Sequence, residues 1–161
     1  ILLKRTKKNR IIVFVIAVVI PLAVGGLSAL ISREGIETYA TLVKPAFAPP
    51  AIVFPIVWTV LYVLMGASSA LIALSNDPRK GESLTVYALQ LGVNFLWTPI
   101  FFLAQARLLA FFWLLLLILF VSLMIVLFAR GSKIAARIQI PYLIWCVFAA
   151  ALNFSVWQLN G

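Results

Sequence analysis

Five long runs of apolar residues follow one another along the chain, and short polar breaks separate them. Each run has the roughly 20 residues that an α-helix needs to cross the hydrocarbon core of a bilayer. Backbone polar groups in lipid must be satisfied within the structure, which favours helices for runs of this length. The pattern therefore predicts an all-α, polytopic membrane protein built as a five-helix transmembrane bundle. The predicted spans cover about residues 11–31, 52–74, 84–106, 108–129 and 138–158.

The breaks between the spans differ in strength. Polar turns at residues 75–81 and 129–133 clearly end spans two and four. Only Gln105 and Arg107 interrupt the apolar sequence between spans three and four. One continuous helix would place Arg107 near the middle of the bilayer, at a cost of about 2.5–3.5 kcal/mol on insertion scales. A tight turn is therefore expected there.

The net charge of +9 is distributed unevenly. Ten of the thirteen Lys and Arg residues fall on one side of a five-span bundle. The positive-inside rule then predicts a cytoplasmic N-terminus and a C-terminus on the opposite side. The basic tail is interpreted as a topology determinant and a contact for anionic lipid, not for nucleic acid. The ten are Lys4, Arg5, Lys7, Lys8, Arg10, Arg79, Lys80, Arg130, Lys133 and Arg137.

The chain lacks the residues of conventional catalytic and metal sites. It has no histidine, and its single cysteine, Cys146, cannot form an intramolecular disulfide. Each of its four acidic residues falls in a predicted loop, so no carboxylate within a span is available to couple ion transport. We therefore expect no metal site and no required cofactor.

Polar side chains within the predicted spans are costly and so are informative. Gln90, Asn94 and Thr98 recur at every fourth position of span three, and Asn153 lies deep in span five. Two alternatives are open for them. They could form interhelical hydrogen bonds, each worth about 0.6 kcal/mol on average, or they could face a ligand, with Thr98 the residue most expected to do so.

Aromatic side chains recur at helical spacing on three of the spans. Trp58 and Tyr62 are four residues apart on span two, as are Trp97 and Phe101 on span three. On span five, Tyr142 and Trp145 share a face with the small residue Ala149. Three such faces could line a flat apolar cavity suited to a planar ligand, and packing within the core is the alternative.

The segment that leads into span two is rich in proline. Pro45, Pro49 and Pro50 lie shortly before Trp58 and Tyr62. Proline removes backbone donors and biases the preceding residue toward extended geometry. A stiff, extended entry into the helix is therefore predicted, placed to form the rim of a pocket.

Three segments in this order resemble the TspO/MBR family, the tryptophan-rich sensory proteins and mitochondrial translocator proteins, and in particular its bacterial members. The resemblance covers nearly the whole chain from span one onward and implies a single family domain over residues 1–161. The segments are Lys44-Pro45 with Pro49-Pro50, Trp58, Leu61 and Tyr62; Gln90, Asn94, Trp97, Pro99, Phe101 and Phe102; and Pro141-Tyr142, Trp145, Phe148-Ala149, Leu152-Asn153 and Trp157.

The resemblance implies a five-helix bundle, often a homodimer, with a pocket capped by the loop between spans one and two. It implies binding of porphyrins, including haem and protoporphyrin IX, and of PK11195-like hydrophobic ligands. The family's pocket residues map onto Pro50, Trp58, Tyr62, Thr98, Phe101, Trp145 and Ala149. With Asn94, Trp97 and Tyr142 they form the set of ten candidate ligand-binding residues.

Three functions follow as alternatives from this resemblance. The first is a receptor or sensor for tetrapyrroles. The second is light- and oxygen-dependent porphyrin degradation, for which Trp58 and Trp145 are the candidate catalytic residues. The third is transport of porphyrins or sterols. Without histidine, haem iron has no imidazole ligand, so porphyrin is expected to bind mainly by stacking.

The chain also departs from the family pattern. Phe47 and Ile52 stand where tryptophan is common, and ligand preference is expected to differ there. Phe154 replaces the tyrosine of the family's cholesterol motif, and no basic residue follows Arg137. Small residues four apart, Ala88 with Gly92 and Gly66 with Ala70, could pack within the chain or form a dimer.

Overall fold

A computed structural model describes residues 6–161 of the chain. Lys4 and Arg5, part of the predicted basic cluster, lie outside the described residues. Across 6–161 the structure has seven α-helices and no strand. They are α1 (Lys7–Ile31), α2 (Arg33–Tyr39), α3 (Val53–Ala73), α4 (Lys80–Thr98), α5 (Arg107–Gly131), α6 (Lys133–Arg137) and α7 (Ile140–Asn160), with α4 extended by a π-helical turn at Pro99–Leu103.

The five predicted spans correspond to five helical segments that are long and apolar enough to cross a membrane. They are α1, α3, α4 with its π-helical turn, α5, and the pair α6–α7. Large aliphatic residues such as Ile11, Val15 and Val19 on α1 are about half exposed. Apolar surface of this kind is expected where helices face lipid. The all-α, five-span architecture is confirmed.

A tight turn separates α4 from α5, as predicted. Pro99 has no N–H, and the Ala104 N–H donates to the Pro99 carbonyl at 3.0 Å, which makes the turn π-helical. Gln105 follows with a φ of 51°, in the left-handed region. Arg107 then begins α5 and donates to the Gly161 carbonyl at 3.3 Å. The arginine therefore lies at one end of the bundle, beside the C-terminal residue.

Helices α1 and α3 approach each other closely at Gly66. A Cβ at this position would collide with the α1 backbone at Ala17 and Val18. Gly66 and its neighbour Ala70 are buried, so this small-residue pair packs within the chain. A Cβ at Gly92 on α4 would meet nothing within 4 Å.

The two ends of the bundle differ. At one end, Arg130 in the last turn of α5 lies 3.6 Å from Glu82 in the first turn of α4, so the loop before α4 and the loop after α5 share that end. At the other end lie α2, the loop from Ala40 to Ile52, the turn before α5 and the C-terminus of α7. The candidate site is at this second end.

Candidate ligand-binding cavity

A cavity of about 610 Å³ lies between α1, α2, α3, α4 and α7. Its size falls within the range of about 300–1,000 Å³ that is typical of small-molecule sites. Eight of the ten candidate site residues line it. They are Pro50, Trp58, Tyr62, Trp97, Thr98, Phe101, Trp145 and Ala149.

One wall of the cavity is a continuous aromatic surface formed by α3 and α4. The Trp58 ring stacks on Tyr62 at a centroid distance of 5.6 Å and lies 6.2 Å from Trp97. Trp97 stacks on Phe101 at 5.6 Å. The i, i+4 spacing seen in the sequence places these rings one helical turn apart on the same face. The result is a broad apolar surface against which a planar ligand can stack.

A second wall is built around Trp145 on α7. Its ring contacts Phe54 edge-on at 6.0 Å and lies 5.2 Å from Phe148. The Trp145 indole N–H is buried and has no hydrogen-bond partner within residues 6–161. Ala149 lies one turn further along α7 and leaves space beside the ring.

Helix α2 and the loop after it cover the cavity, and we call residues 33–52 the lid. Gly35 lies so close to the Phe102 backbone that a Cβ would collide with it. Tyr39 packs against Phe101 at 6.0 Å and Phe102 at 5.6 Å. Desolvation of the half-buried hydroxyl raises the pKa of Tyr39. The lid therefore packs against the π-helical turn at Pro99–Leu103.

The lid is also hydrogen-bonded to the end of α7. The Val43 N–H donates to Asn160 Oδ1 at 3.0 Å, and Asn160 Nδ2 donates to the Val43 carbonyl at 2.8 Å. Asn160 Nδ2 also reaches the Val156 carbonyl within its own helix. One side-chain amide thus joins the lid to the C-terminal turn of the bundle.

The remaining two candidate residues, Asn94 and Tyr142, lie behind the aromatic wall and do not line the cavity. Tyr62 Oη donates to Asn94 Oδ1, Asn94 Nδ2 donates to Tyr142 Oη, and Tyr142 Oη donates to Gln90 Oε1, each at 2.8 Å. The side-chain amides of Asn94 and Gln90 therefore form interhelical hydrogen bonds, which is the first of the two alternatives for the polar residues within the spans. Their polar atoms are paired with protein partners and face away from the space a ligand would fill.

Asn153 combines both alternatives. Its Oδ1 accepts a hydrogen bond from Trp97 Nε1 at 3.2 Å, and its Nδ2 donates to the Arg107 carbonyl at 2.7 Å. It also lines the cavity. The side chain fixes the orientation of the Trp97 ring and joins α7 to the start of α5.

The chain was compared with known proteins. The model of the TspO/MBR family matches residues 17–158. The chain belongs to the TspO/MBR family. It is 41% identical over 125 residues to the tryptophan-rich protein TspO of Chlorobaculum tepidum, covering 76% of this chain and 78% of that protein. It is 38% identical over 124 residues to the tryptophan-rich sensory protein of Cereibacter sphaeroides, covering 77% of each.

A human relative extends the similarity to the translocator proteins. The chain is 38% identical over 136 residues to the translocator protein of Homo sapiens, covering 83% of this chain and 80% of that protein. Together with the five apolar helices, membership of the TspO/MBR family makes the chain an integral, multi-pass membrane protein.

In this TspO/MBR member several cavity residues are not among the candidates that the sequence predicts, notably Tyr39, Phe54 and Gly25. Tyr39 lies on α2, whose seven residues are too few for apolar periodicity to show. Phe54 and Val57 lie three residues apart in one continuous apolar run. The sequence therefore does not show which face of the helix Phe54 occupies. Gly25 and Ala29, four apart on α1, form a small-residue pair that could have indicated a close approach.

Two of the departures from the family pattern, Phe47 and Ile52, do not line the cavity. Phe47 packs edge-on against Phe148 at 6.2 Å and is about half exposed. Ile52 has an exposed fraction of 65%. The expected effect of Phe47 and Ile52 on ligand preference stays a prediction, and it would have to act through the position of the lid.

Proposed function

We propose that this member of the TspO/MBR family is a membrane receptor or sensor that binds tetrapyrroles such as protoporphyrin IX and haem. PK11195-like hydrophobic ligands would occupy the same cavity. The observation that carries the proposal is a cavity of about 610 Å³ with the indole of Trp58 on one wall and that of Trp145 on another. The name of the Cereibacter relative, a tryptophan-rich sensory protein, supports the receptor role.

Stacking is the expected mode of binding. The described lining of the cavity includes no His, Cys or Met side chain that could ligate iron. Of its two tyrosines, Tyr62 donates its hydroxyl to Asn94, and burial raises the pKa of Tyr39, which disfavours the phenolate that iron would need. Met65 and Cys146 are buried outside the cavity. Protoporphyrin IX and its iron complex should therefore bind with similar affinities, because the ring system supplies most of the contact.

The test is quenching of tryptophan fluorescence by protoporphyrin IX with the protein in detergent. Trp58→Ala combined with Trp145→Ala should weaken the affinity at least about tenfold, since each lost aromatic pair is worth about 0.5–1.5 kcal/mol beyond the area it buries. Trp157→Ala is the matched control, because Trp157 packs against Phe154 at a centroid distance of 5.4 Å and does not line the cavity. An unchanged affinity in the double variant would refute this site.

Porphyrin degradation is the second candidate function, because both candidate catalytic indoles line the cavity where a porphyrin would bind. The assay follows product formation under controlled light and oxygen. Trp58→Phe and Trp145→Phe should each slow it if the indoles take part. Equal rates in empty detergent micelles would rule the activity out.

The orientation in the membrane belongs to the same proposal. The basic ends of α4, α5 and α6 lie at the end of the bundle opposite the lid. With that end in the cytoplasm, the cavity and the C-terminus would face the other side of the membrane. A reporter fused after Gly161 should be active only in the non-cytoplasmic compartment.

A further inference from the structure

Lys44 is the one charged side chain in the described lining of the cavity. It lies in the lid, between the end of α2 and the double proline Pro49-Pro50, and is half-buried. The rest of the lining is aromatic, aliphatic or neutral polar. A single ammonium at the edge of an apolar cavity favours ligands of one charge type.

The lid holds the ammonium in place. Lys44 Nζ donates to the carbonyls of Ala40 at 3.2 Å and Leu42 at 3.1 Å. It also lies 4.9 Å from the centroid of the Tyr39 ring, within range of a cation–π interaction. A lysine ammonium has three N–H donors, so one remains after the two carbonyls are served.

No protein carboxylate neutralises this charge. The ion pairs within residues 6–161 join Arg33 to Glu37, Arg79 to Glu82 and Arg130 to Glu82, and none includes Lys44. The buried Trp145 N–H is also unpaired within residues 6–161, but it is neutral and favours an acid over its ester less strongly than an ammonium does. Lys44 therefore has a free donor and an uncompensated charge beside the space for a ligand.

We propose that Lys44 makes the cavity selective for ligands that carry an acidic group at their edge. The ring system stacks between the aromatic walls, and the carboxylate of the ligand accepts a hydrogen bond from the third N–H of the ammonium. The inference rests on the proposed function for the tetrapyrrole ring, and it adds that the free acid, not the neutral ring alone, is the preferred ligand. Because Lys44 is at the edge, pairing does not require full burial of either charge.

The chain offers a matched control in Lys80. Its Nζ donates to the carbonyls of Ala73 at 3.1 Å and Ser75 at 3.0 Å, the same arrangement that Lys44 has. It lies at the opposite end of the bundle and does not line the cavity. Lys80→Gln therefore removes a similarly held ammonium without touching the site.

The experiment compares protoporphyrin IX with its dimethyl ester by fluorescence quenching. The native chain should bind the acid about tenfold more tightly than the ester, the effect expected of a hydrogen bond to a charged group. Lys44→Gln should bring that ratio close to one, mainly by weakening binding of the acid. Lys44→Arg should retain the preference, and Lys80→Gln should match the native chain. A native ratio near one, or a native ratio kept by Lys44→Gln, overturns the proposal.

A second pair of probes separates this proposal from the first. Pyrenebutyrate and its methyl ester are planar and differ by the same charge, but they are not tetrapyrroles. If neither porphyrin binds while pyrenebutyrate is preferred in a Lys44-dependent way, the tetrapyrrole function fails and the role of Lys44 stands. If both porphyrins bind equally well and pyrenebutyrate is not preferred, only the role of Lys44 fails.

Discussion

The same three helices build two regions of opposite character. Toward the lid, α3, α4 and α7 separate and line a cavity with aromatic rings. Within one to two turns of these rings they close completely around Tyr142, which is fully buried. In this closed region the side chains of Asn94 and Gln90 satisfy the Tyr142 hydroxyl from both sides.

The difference lies in how polar groups are used. In the closed region they bond to one another, and such a buried network fixes the register of the helices it joins. In the cavity region, the Trp145 N–H and one Lys44 proton have no partner among residues 6–161. A rigid closed region can thus hold the cavity open while leaving its donors free for a ligand.

The largest difference between the regions should appear at two buried glycines. Gly66→Ala in the closed region sets a methyl group against the α1 backbone, which cannot move aside. It should lower the free energy of unfolding by about 1–3 kcal/mol. Gly25→Ala sets the methyl group against the Tyr62 ring, a side chain beside the cavity that can give way more easily than backbone although its shift strains the hydrogen bond to Asn94, so the cost should be smaller. Thermal unfolding in detergent checks this, and equal losses would contradict the comparison.

The second contrast removes a polar atom from each region. Tyr142→Phe leaves Asn94 and Gln90 without their shared partner and should cost about 1–3 kcal/mol of stability. Trp145→Phe removes an N–H that has no partner, so it should change stability little. The same unfolding measurement applies. A Trp145→Phe variant that is as unstable as Tyr142→Phe would mean that the indole is not a free donor.

The two regions were not equally accessible from the sequence. The spans and the turn before Arg107 followed from hydropathy and charge, because the bilayer constrains them strongly. The directions in which the side chains of Asn94 and Thr98 face did not follow from the sequence. Residues four apart on a helix drift by about 40° around its axis. Between Asn94 and Thr98 the row of polar residues on α4 therefore passes from the closed core to the cavity. The spacing of the polar residues alone does not show at which residue this change occurs.

The lid was the least predictable part. The prolines indicated an extended entry to α3, but nothing local to the sequence pairs Val43 with Asn160, which is 117 residues away. That contact depends on how the ends of α2 and α7 meet in the assembled bundle. Tyr39 and Lys44 likewise gain their positions over the cavity from tertiary packing and not from a periodic pattern.

A smaller effect is expected from releasing the lid. Asn160→Ala removes both hydrogen bonds to Val43, each worth about 0.5–1.5 kcal/mol. Ligand association and dissociation should both accelerate, by about three- to tenfold, while the closed region keeps its stability. Stopped-flow quenching measures the rates. Ser155→Ala is the control, since its hydroxyl bonds only to Ala151 in the same helix. Unchanged rates would mean that ligands enter without moving the lid.

The smallest effect on either region should follow Gly92→Leu. Gly92 lies on α4 between Gln90 and Asn94 but is exposed, and a Cβ there meets nothing within 4 Å in the described chain. The free energy of unfolding of the monomer should change by less than about 1 kcal/mol, and ligand affinity should be unchanged. If the exposed face with Ala88 and Gly92 forms the homodimer that the family resemblance implies, the added side chain should separate the subunits. Size-exclusion chromatography with light scattering measures this, and a dimer that persists would place the interface on another helix.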